Sequence, residues 1–348
     1  MVASPKPGDA GNGRYAAALA EALARTARAD DEVAALVTRP GALTHIGPGI
    51  RGVHVPEGNA HRLLAGAAHA LRHVEADASV FTYVAPRKLP SRLALAIHDP
   101  TFVTNPEWLG RRARLILSQL VPISARRADV VLALSTTAKT DICAALGLPE
   151  ERVAVVSPAP AELFRADDGA RARVRDLHGL GRYVLSVGDI GPRKNLGALI
   201  DAVERIGEPG LELVLVGRAA REAEQVISDP RVRWLGPVPD EELADLYRAA
   251  SVVAHPARYE GFGLTVLEAL ACGSPVVVSN TGALPEVVGD AGIVVNPDVE
   301  GLAEGIRAAL EPVEADRLRE AGPNRAGAFT VTKMGDTAWA ALGRSGDR

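Results

Sequence analysis

Five short runs in the first half of the chain (33–37, 80–84, 93–97, 130–134, 153–156) and five in the second (183–187, 211–216, 252–254, 276–278, 293–295) are rich in apolar, strand-forming residues. Most are followed by a segment of helical composition. A strand that is apolar on both faces must be covered on both. Strands alternating with helices therefore predict parallel sheets with helices on each side. The rhythm runs twice, so the expected fold class is α/β, with two doubly wound Rossmann-like domains. Prolines and charges interrupt it at 157–168, which sets the expected division at 1–160 and 161–330. A short helical pattern over 332–342 closes the chain. Ligands of such folds collect at the carboxyl ends of the strands, so an active site is expected in a cleft between the domains.

Bulk properties exclude several classes. At 348 residues there is length for two domains, and 47% apolar residues mark a globular chain rather than a disordered one. A net charge of −4 gives no overall attraction to nucleic acid or anionic membrane, so no nucleic-acid partner is expected. Cys143 and Cys272 fall in helical segments of different halves and read as small buried residues, not as a disulfide framework or a metal cage. No uncharged apolar stretch approaches the ~18 residues of a membrane span, and no basic-then-apolar leader opens the chain, which reads as cytoplasmic. His69 and His73, four apart on a helical segment, lack an evident third metal ligand. Arg111, Arg112 and Arg114 precede an apolar run, and Arg126 and Arg127 follow it. That segment reads first as a solvated helix face, and otherwise as a weak peripheral contact with a membrane or a lipid-linked acceptor.

The chemistry concentrates at residues 259–272, Tyr-Glu-Gly-Phe-Gly-Leu-Thr-Val-Leu-Glu-Ala-Leu-Ala-Cys. A strand at 251–254, a loop at 255–261 and a helix at 264–272 are expected, the helix stopped by Gly273 and Pro275. Gly261 and Gly263 allow a sharp turn that leaves the first helical amides uncovered, which makes an anion site. Glu268, one turn in, has the shape to accept two hydrogen bonds from the cis-diol of a ribose. Glu260, before the turn, could hold hydroxyls of a sugar. Taken alone, each is better read as a solvated carboxylate. Arg193 and Lys194 follow the 183–187 strand through a Gly-rich turn, so their cations can reach the same anion. No two aspartates are separated by a single residue, so nothing in the sequence calls for a divalent ion.

Together with 97–102 (Ile-His-Asp-Pro-Thr-Phe), 106–108 (Pro-Glu-Trp), 187–196 (Val-Gly-Asp-Ile-Gly-Pro-Arg-Lys-Asn-Leu), 272–280 and 281–292, this segment resembles the retaining glycosyltransferases of family 4, enzymes of GT-B architecture. The likeness covers nearly the whole chain, in the family's order. It implies metal-independent transfer of a hexose, with retention, from a GDP- or UDP-sugar to a hydroxyl of a sugar, a lipid-linked molecule or a small molecule. Mannose from GDP-mannose is the leading reading, and no further cofactor is implied. His98 would contact the transferred sugar. The helix start formed by Gly261, Phe262, Gly263, Leu264 and Thr265 would take the diphosphate, and Gly11 and Gly13, read as a loop before a helix over 15–28, would approach it from the other domain. Arg218 and the 234–238 segment, ending at Val238, would line the base pocket. In relatives the last helix returns to the first domain.

Three departures stand out. Asp189 occupies a position where many relatives carry Arg, and is read as orienting Arg193 within the donor site. Ala159 and Pro160 replace the usual Gly-Val of the hinge. Only three residues precede Ser4 where relatives open with a six-residue apolar strand, which implies a stunted first strand or a start codon further upstream. Two rivals fit the same residues: a nucleotide-sugar 2-epimerase, and a non-catalytic nucleotide-sugar-binding subunit.

Overall fold

The computed structural model describes residues 11–37, 48–55, 66–219 and 223–343. The expected opening strand lies outside them. The contacts divide the chain into two compact units, one running to Pro158 and resuming at Thr330, the other spanning Ala159–Phe329.

In the first unit, β1 (Val33–Val37) and β2 (Ile50–His54) form one parallel ladder; β3 (Ala78–Thr82), β4 (Arg92–Ala96), β5 (Val130–Ala133) and β6 (Val153–Val155) form another, in that order. Leu95, Val131 and Ala133 from these strands, with Ile97 just past β4, meet Val121, Ala125, Ala138 and Ile142 of the covering helices in one buried cluster. The helix Val331–Ala341 packs on the helix Gly11–Arg25. Trp339 donates its indole N–H to the Leu23 carbonyl at 3.1 Å. A side chain at Gly335 would run into the backbone of Ala22, so glycine is what lets the two helices approach.

The second unit is a single six-stranded parallel sheet in the order β12-β11-β10-β7-β8-β9. Its strands are β7 (Arg182–Val187), β8 (Leu211–Val216), β9 (Val232–Gly236), β10 (Val252–His255), β11 (Val276–Ser279) and β12 (Ile293–Val295). The chain lays β8 and β9 to one side of β7, then returns to place β10, β11 and β12 on the other. The order therefore reverses between β7 and β10, and loops leaving those two strands diverge around a crevice.

Three expectations need correction. The residues from Gly11 are already helical, and the helix ends at Arg25. Glycine disfavours a helix by only about 1 kcal/mol, and fully buried Tyr15, Leu19 and Ala22 on one face outweigh that. His255 belongs to β10 rather than to the loop, being paired in register with Val278. β2 and β9 were not expected; Arg51, Gly52 and Arg233 break their apolar runs, as suits strands at the edge of a ladder with one face open to solvent. Among the described residues, no helix is long and apolar enough to cross a membrane. Both cysteines are free thiols; Cys272 is buried and Cys143 only partly so.

Candidate active site

The crevice between β7 and β10 gathers four ionisable side chains. Lys194, in the turn Pro192–Lys194 after β7, donates from Nζ to Glu260 Oε2 at 2.9 Å. Arg193 Nη1 lies 3.0 Å from the same oxygen and also donates to the Tyr259 carbonyl at 3.0 Å. His255, the last residue of β10 and buried, has Nε2 3.2 Å from Glu260 Oε2 and 3.3 Å from Lys194 Nζ. Glu260 is thus held by two cations and an imidazole.

The protonation states follow from that packing. Burial alone would raise the Glu260 carboxyl, but Arg193 and Lys194 outweigh it and hold it well below the usual carboxylate range. Burial pulls the Lys194 ammonium below its ordinary value, with Glu260 pulling the other way. Burial, reinforced by Lys194, drops His255 to about 4, so near neutrality it is an uncharged imidazole.

The backbone fixes these groups in place. Gly188, with φ +138°, carries no side chain where a Cβ would stand 3.1 Å from Lys194 Cε and 3.2 Å from Nζ. Only glycine lets the Lys194 stem lie across the strand end. Asn195 takes a left-handed φ of 53° and donates to the Pro297 carbonyl at 2.7 Å, while its side-chain oxygen accepts from Arg258 Nε at 3.3 Å. The Arg258 amide donates to the Arg193 carbonyl at 2.9 Å, which joins the loop after β7 to the loop after β10. The Glu260 carbonyl accepts from the Ala283 amide at 2.8 Å, against a Gly282 whose added Cβ would run into Glu260.

Beyond Glu260 the chain turns through buried Gly261, Phe262 and Gly263. Gly263 caps the helix Leu264–Ala271 with φ +95°, and no side chain caps this helix start. Leu264 and Thr265 are the first helical residues, half-buried at its positive end. Glu268 is buried at 2% exposure on the same helix and accepts from the Tyr247 hydroxyl at 3.3 Å. The structure therefore places Arg193, Lys194, Glu260, Gly261, Phe262, Gly263, Leu264 and Thr265 along one turn of chain and its neighbour, with Glu268 on the inner face of the helix that follows.

Asp189 pairs with Arg218 and not with Arg193: Arg218 Nε reaches Oδ1 at 3.1 Å and Nη2 reaches Oδ2 at 3.0 Å. The parallel register pairs Val187 with Val216, so two residues beyond each strand end the side chains meet. Arg193 is taken by Glu260 instead. Val238 is partly buried in the loop between β9 and the helix Asp240–Ala249. Trp234 donates its indole N–H to the Gly217 carbonyl at 2.9 Å.

His98, Gly11 and Gly13 belong to the other unit. His98 is buried two residues past β4, its ring edge-on to Tyr15 at 4.8 Å and tilted against Tyr83 at 5.5 Å. Tyr15 reaches the Val156 carbonyl at 3.4 Å, and burial pushes its phenol up. Gly11 and Gly13 form the first turn of the helix Gly11–Arg25. His69 and His73 are exposed, with Nε2 atoms 3.1 Å apart. Among the described residues, no three His, Cys, Asp or Glu side chains converge as metal ligands would.

Sequence reasoning missed His255, Tyr83 and the Asp189–Arg218 pair. The last of these had a signal: both residues stand two positions beyond the ends of consecutive parallel strands.

Comparison with known proteins bears on the second unit first. Residues 174–325 match the model of the family Glycosyl transferases group 1. The chain is 33% identical over 256 residues to the O-antigen chain mannosyltransferase B of Escherichia coli, an alignment covering 67% of this chain and 65% of that protein. It thus spans less than two thirds of that relative's length. Among solved structures, WaaG, a glycosyltransferase involved in lipopolysaccharide biosynthesis, superposes with a TM-score of 0.76 at 18% identity, over 99% of this chain and 98% of that one. HepE of Anabaena in complex with UDP and glucose gives 0.75 at 20% identity, over 98% of each chain. The likeness shows the fold, the α/β fold of GT-B glycosyltransferases.

Proposed function

We propose that this chain is a retaining, metal-independent glycosyltransferase that moves a hexose from a nucleoside diphosphate sugar to an acceptor hydroxyl. The observation that carries the reading is the Lys194–Glu260–Arg193 cluster beside the uncapped helix start at Gly263, at the reversal point of a sheet whose residues match a glycosyltransferase family. The diphosphate would displace part of the Glu260 carboxylate's hold on the two cations, and would lie against the amides of Leu264 and Thr265. Glu260, released from one cation, would accept from hydroxyls of the hexose. Glu268 would take the ribose, and Val238 with the Trp234 segment the base. The donor C–O bond breaks as the acceptor oxygen bonds to the same carbon, and the acceptor proton passes to the departing phosphate oxygen on the same face. The protein's part is positioning and charge stabilisation, with Arg193 and Lys194 offsetting the leaving group's charge without a divalent ion.

In this reading Ala159–Phe329 binds the donor, and the first unit, with His98 between its two tyrosines, serves the acceptor side. The mannosyltransferase name of the Escherichia coli relative favours mannose, hence GDP-mannose, over epimerisation. A cytoplasmic location belongs to the same reading. The test is incubation of the protein in EDTA with GDP-mannose and UDP-glucose and a panel of sugar acceptors, followed by mass spectrometry. A hexose-extended acceptor and free nucleoside diphosphate are expected. A C2-epimerised donor without transfer, or an absolute need for Mn²⁺, would count against the proposal.

A further inference from the structure

The helix Ala67–His73 of the first unit is seated by one face and carries two histidines on the other. Ala67, Ala70 and Leu71 are buried and belong to the core cluster of that unit, with Val121, Ala125 and Ile142. Residues four apart on a helix lie one above the other on the same face. His69 and His73 have that spacing, and both are exposed. The Val74 amide still donates to the Ala70 carbonyl at 3.2 Å, so the turn beneath His73 is closed. The core thus fixes the backbone under the pair, while solvent reaches both rings.

The two rings turn toward each other. Their Nε2 atoms are 3.1 Å apart, with ring centroids 4.5 Å apart and ring planes nearly perpendicular at 83°. Such a pair can share one proton, or it can share one ion. A metal ion bound to an imidazole nitrogen lies about 2.0–2.1 Å from it. Two bonds of that length spanning the 3.1 Å separation enclose an angle of about 95–100° at the ion. This falls between the right angle of square-planar and octahedral sites and the wider tetrahedral angle, so one ion can take both nitrogens with the backbone as it stands.

We propose that His69 and His73 chelate one divalent transition-metal ion. Each ring carries its proton on Nδ1 and presents the Nε2 lone pair, so two neutral imidazoles serve as ligands and the ion replaces the hydrogen bond between them. Imidazole suits Cu²⁺, Ni²⁺ and Zn²⁺, whereas Mg²⁺ and Ca²⁺ require oxygen donors, and the general order of affinities places Cu²⁺ first. Among the described residues, no third His, Cys, Asp or Glu converges on the pair. Water completes the coordination, which makes the site open and exchangeable rather than a closed structural centre. The proposal does not rest on the transferase reading. That reaction is assigned to proceed in EDTA, which keeps this site empty, and metal binding here is measured without a nucleotide sugar.

The test is calorimetric titration of the full chain, freed of any affinity tag, with Cu²⁺, Zn²⁺ and Mg²⁺. Saturable binding of Cu²⁺ is expected, tighter than that of Zn²⁺, with no binding of Mg²⁺. His69→Gln and His73→Gln should each weaken Cu²⁺ binding by about tenfold or more, since even a lost outer-shell partner costs about that much. Both substitutions are on the surface and should keep the wild-type circular dichroism spectrum. Electron paramagnetic resonance of the Cu²⁺ form should show coupling to two imidazole nitrogens in wild type and to one in either variant. Wild type without saturable Cu²⁺ binding, either variant binding as tightly as wild type, or Mg²⁺ that competes with Cu²⁺ each overturns the proposal. So does coupling to four imidazole nitrogens accompanied by a dimer in light scattering, which would place the ion between two copies of the chain.

Discussion

Asp189 grips Arg218 through two parallel contacts at 3.1 and 3.0 Å, so the carboxylate in the loop after β7 is neutralised from the end of β8 and leaves Arg193 to Glu260. Both partners are about half exposed, at 46% and 49%, and the pair contributes at most about 1 kcal/mol. In a double-mutant cycle on thermal or urea stability, Asp189→Ala and Arg218→Ala should couple by a few tenths to about 1 kcal/mol. Asp189→Ala and Arg193→Ala should add. Strong coupling of the second pair would restore the orienting role expected from sequence.

Glu268 is buried with the Tyr247 hydroxyl on one of its oxygens. Glu268→Gln keeps the shape and loses a charged acceptor, so donor affinity by calorimetry should weaken by roughly 1.5 to 3 kcal/mol. Tyr247→Phe removes a donor from the buried carboxylate and should cost roughly 1 to 3 kcal/mol in urea unfolding. Unchanged donor affinity in Glu268→Gln would remove Glu268 from the ribose site.

His255 makes stability depend on acidity. Its folded value of about 4 lies below the ordinary 6.5, so between these limits the unfolded chain binds more protons than the folded one. Stability should therefore fall as pH drops through that window. Glu260, held low by its cations, acts in the same direction at the acid end. Urea unfolding between pH 4.5 and 6.5 should show a positive slope, and His255→Gln should flatten it. A slope unaltered by that substitution would mean the imidazole is not the titrating group.

Gly282 sits at φ +53° with no room for a Cβ beside the Glu260 backbone. Gly282→Ala should destabilise by at least roughly 1 to 3 kcal/mol and shift Glu260. Gly197, near the start of the helix Leu196–Ile206 with open space where its Cβ would be, is the control. Gly197→Ala should be neutral or stabilising by up to about 1 kcal/mol. Differential scanning calorimetry of the two variants distinguishes a steric requirement from a general intolerance of alanine.

Much of this was legible in the sequence because buried parallel strands leave a clear trace: 33–37, 211–216 and 276–278 read as apolar runs and fall on β1, β8 and β11. The edge strands β2 and β9 leave less, since Arg51 and Arg233 break the run. Gly11 and Gly13 misled because local propensity argues for a loop, whereas packing of Tyr15 and Leu19 decides for a helix. Glu260, Lys194 and Arg193 were singled out from their neighbours along the chain, and the fold brings the three side chains together. His255 was not, for what marks it is a partner 61 residues away, brought close only when β7 pairs with β10.

If the proposed function holds, the loops after β7 and β10 bind a nucleoside diphosphate sugar. Calorimetric titration with GDP-mannose and with UDP-glucose in EDTA, using wild type and Lys194→Ala, measures that binding. Saturable binding of at least one donor is expected, weakened about tenfold or more in the variant through loss of a charge-assisted contact. No binding of either donor, or equal binding to both proteins, would refute it.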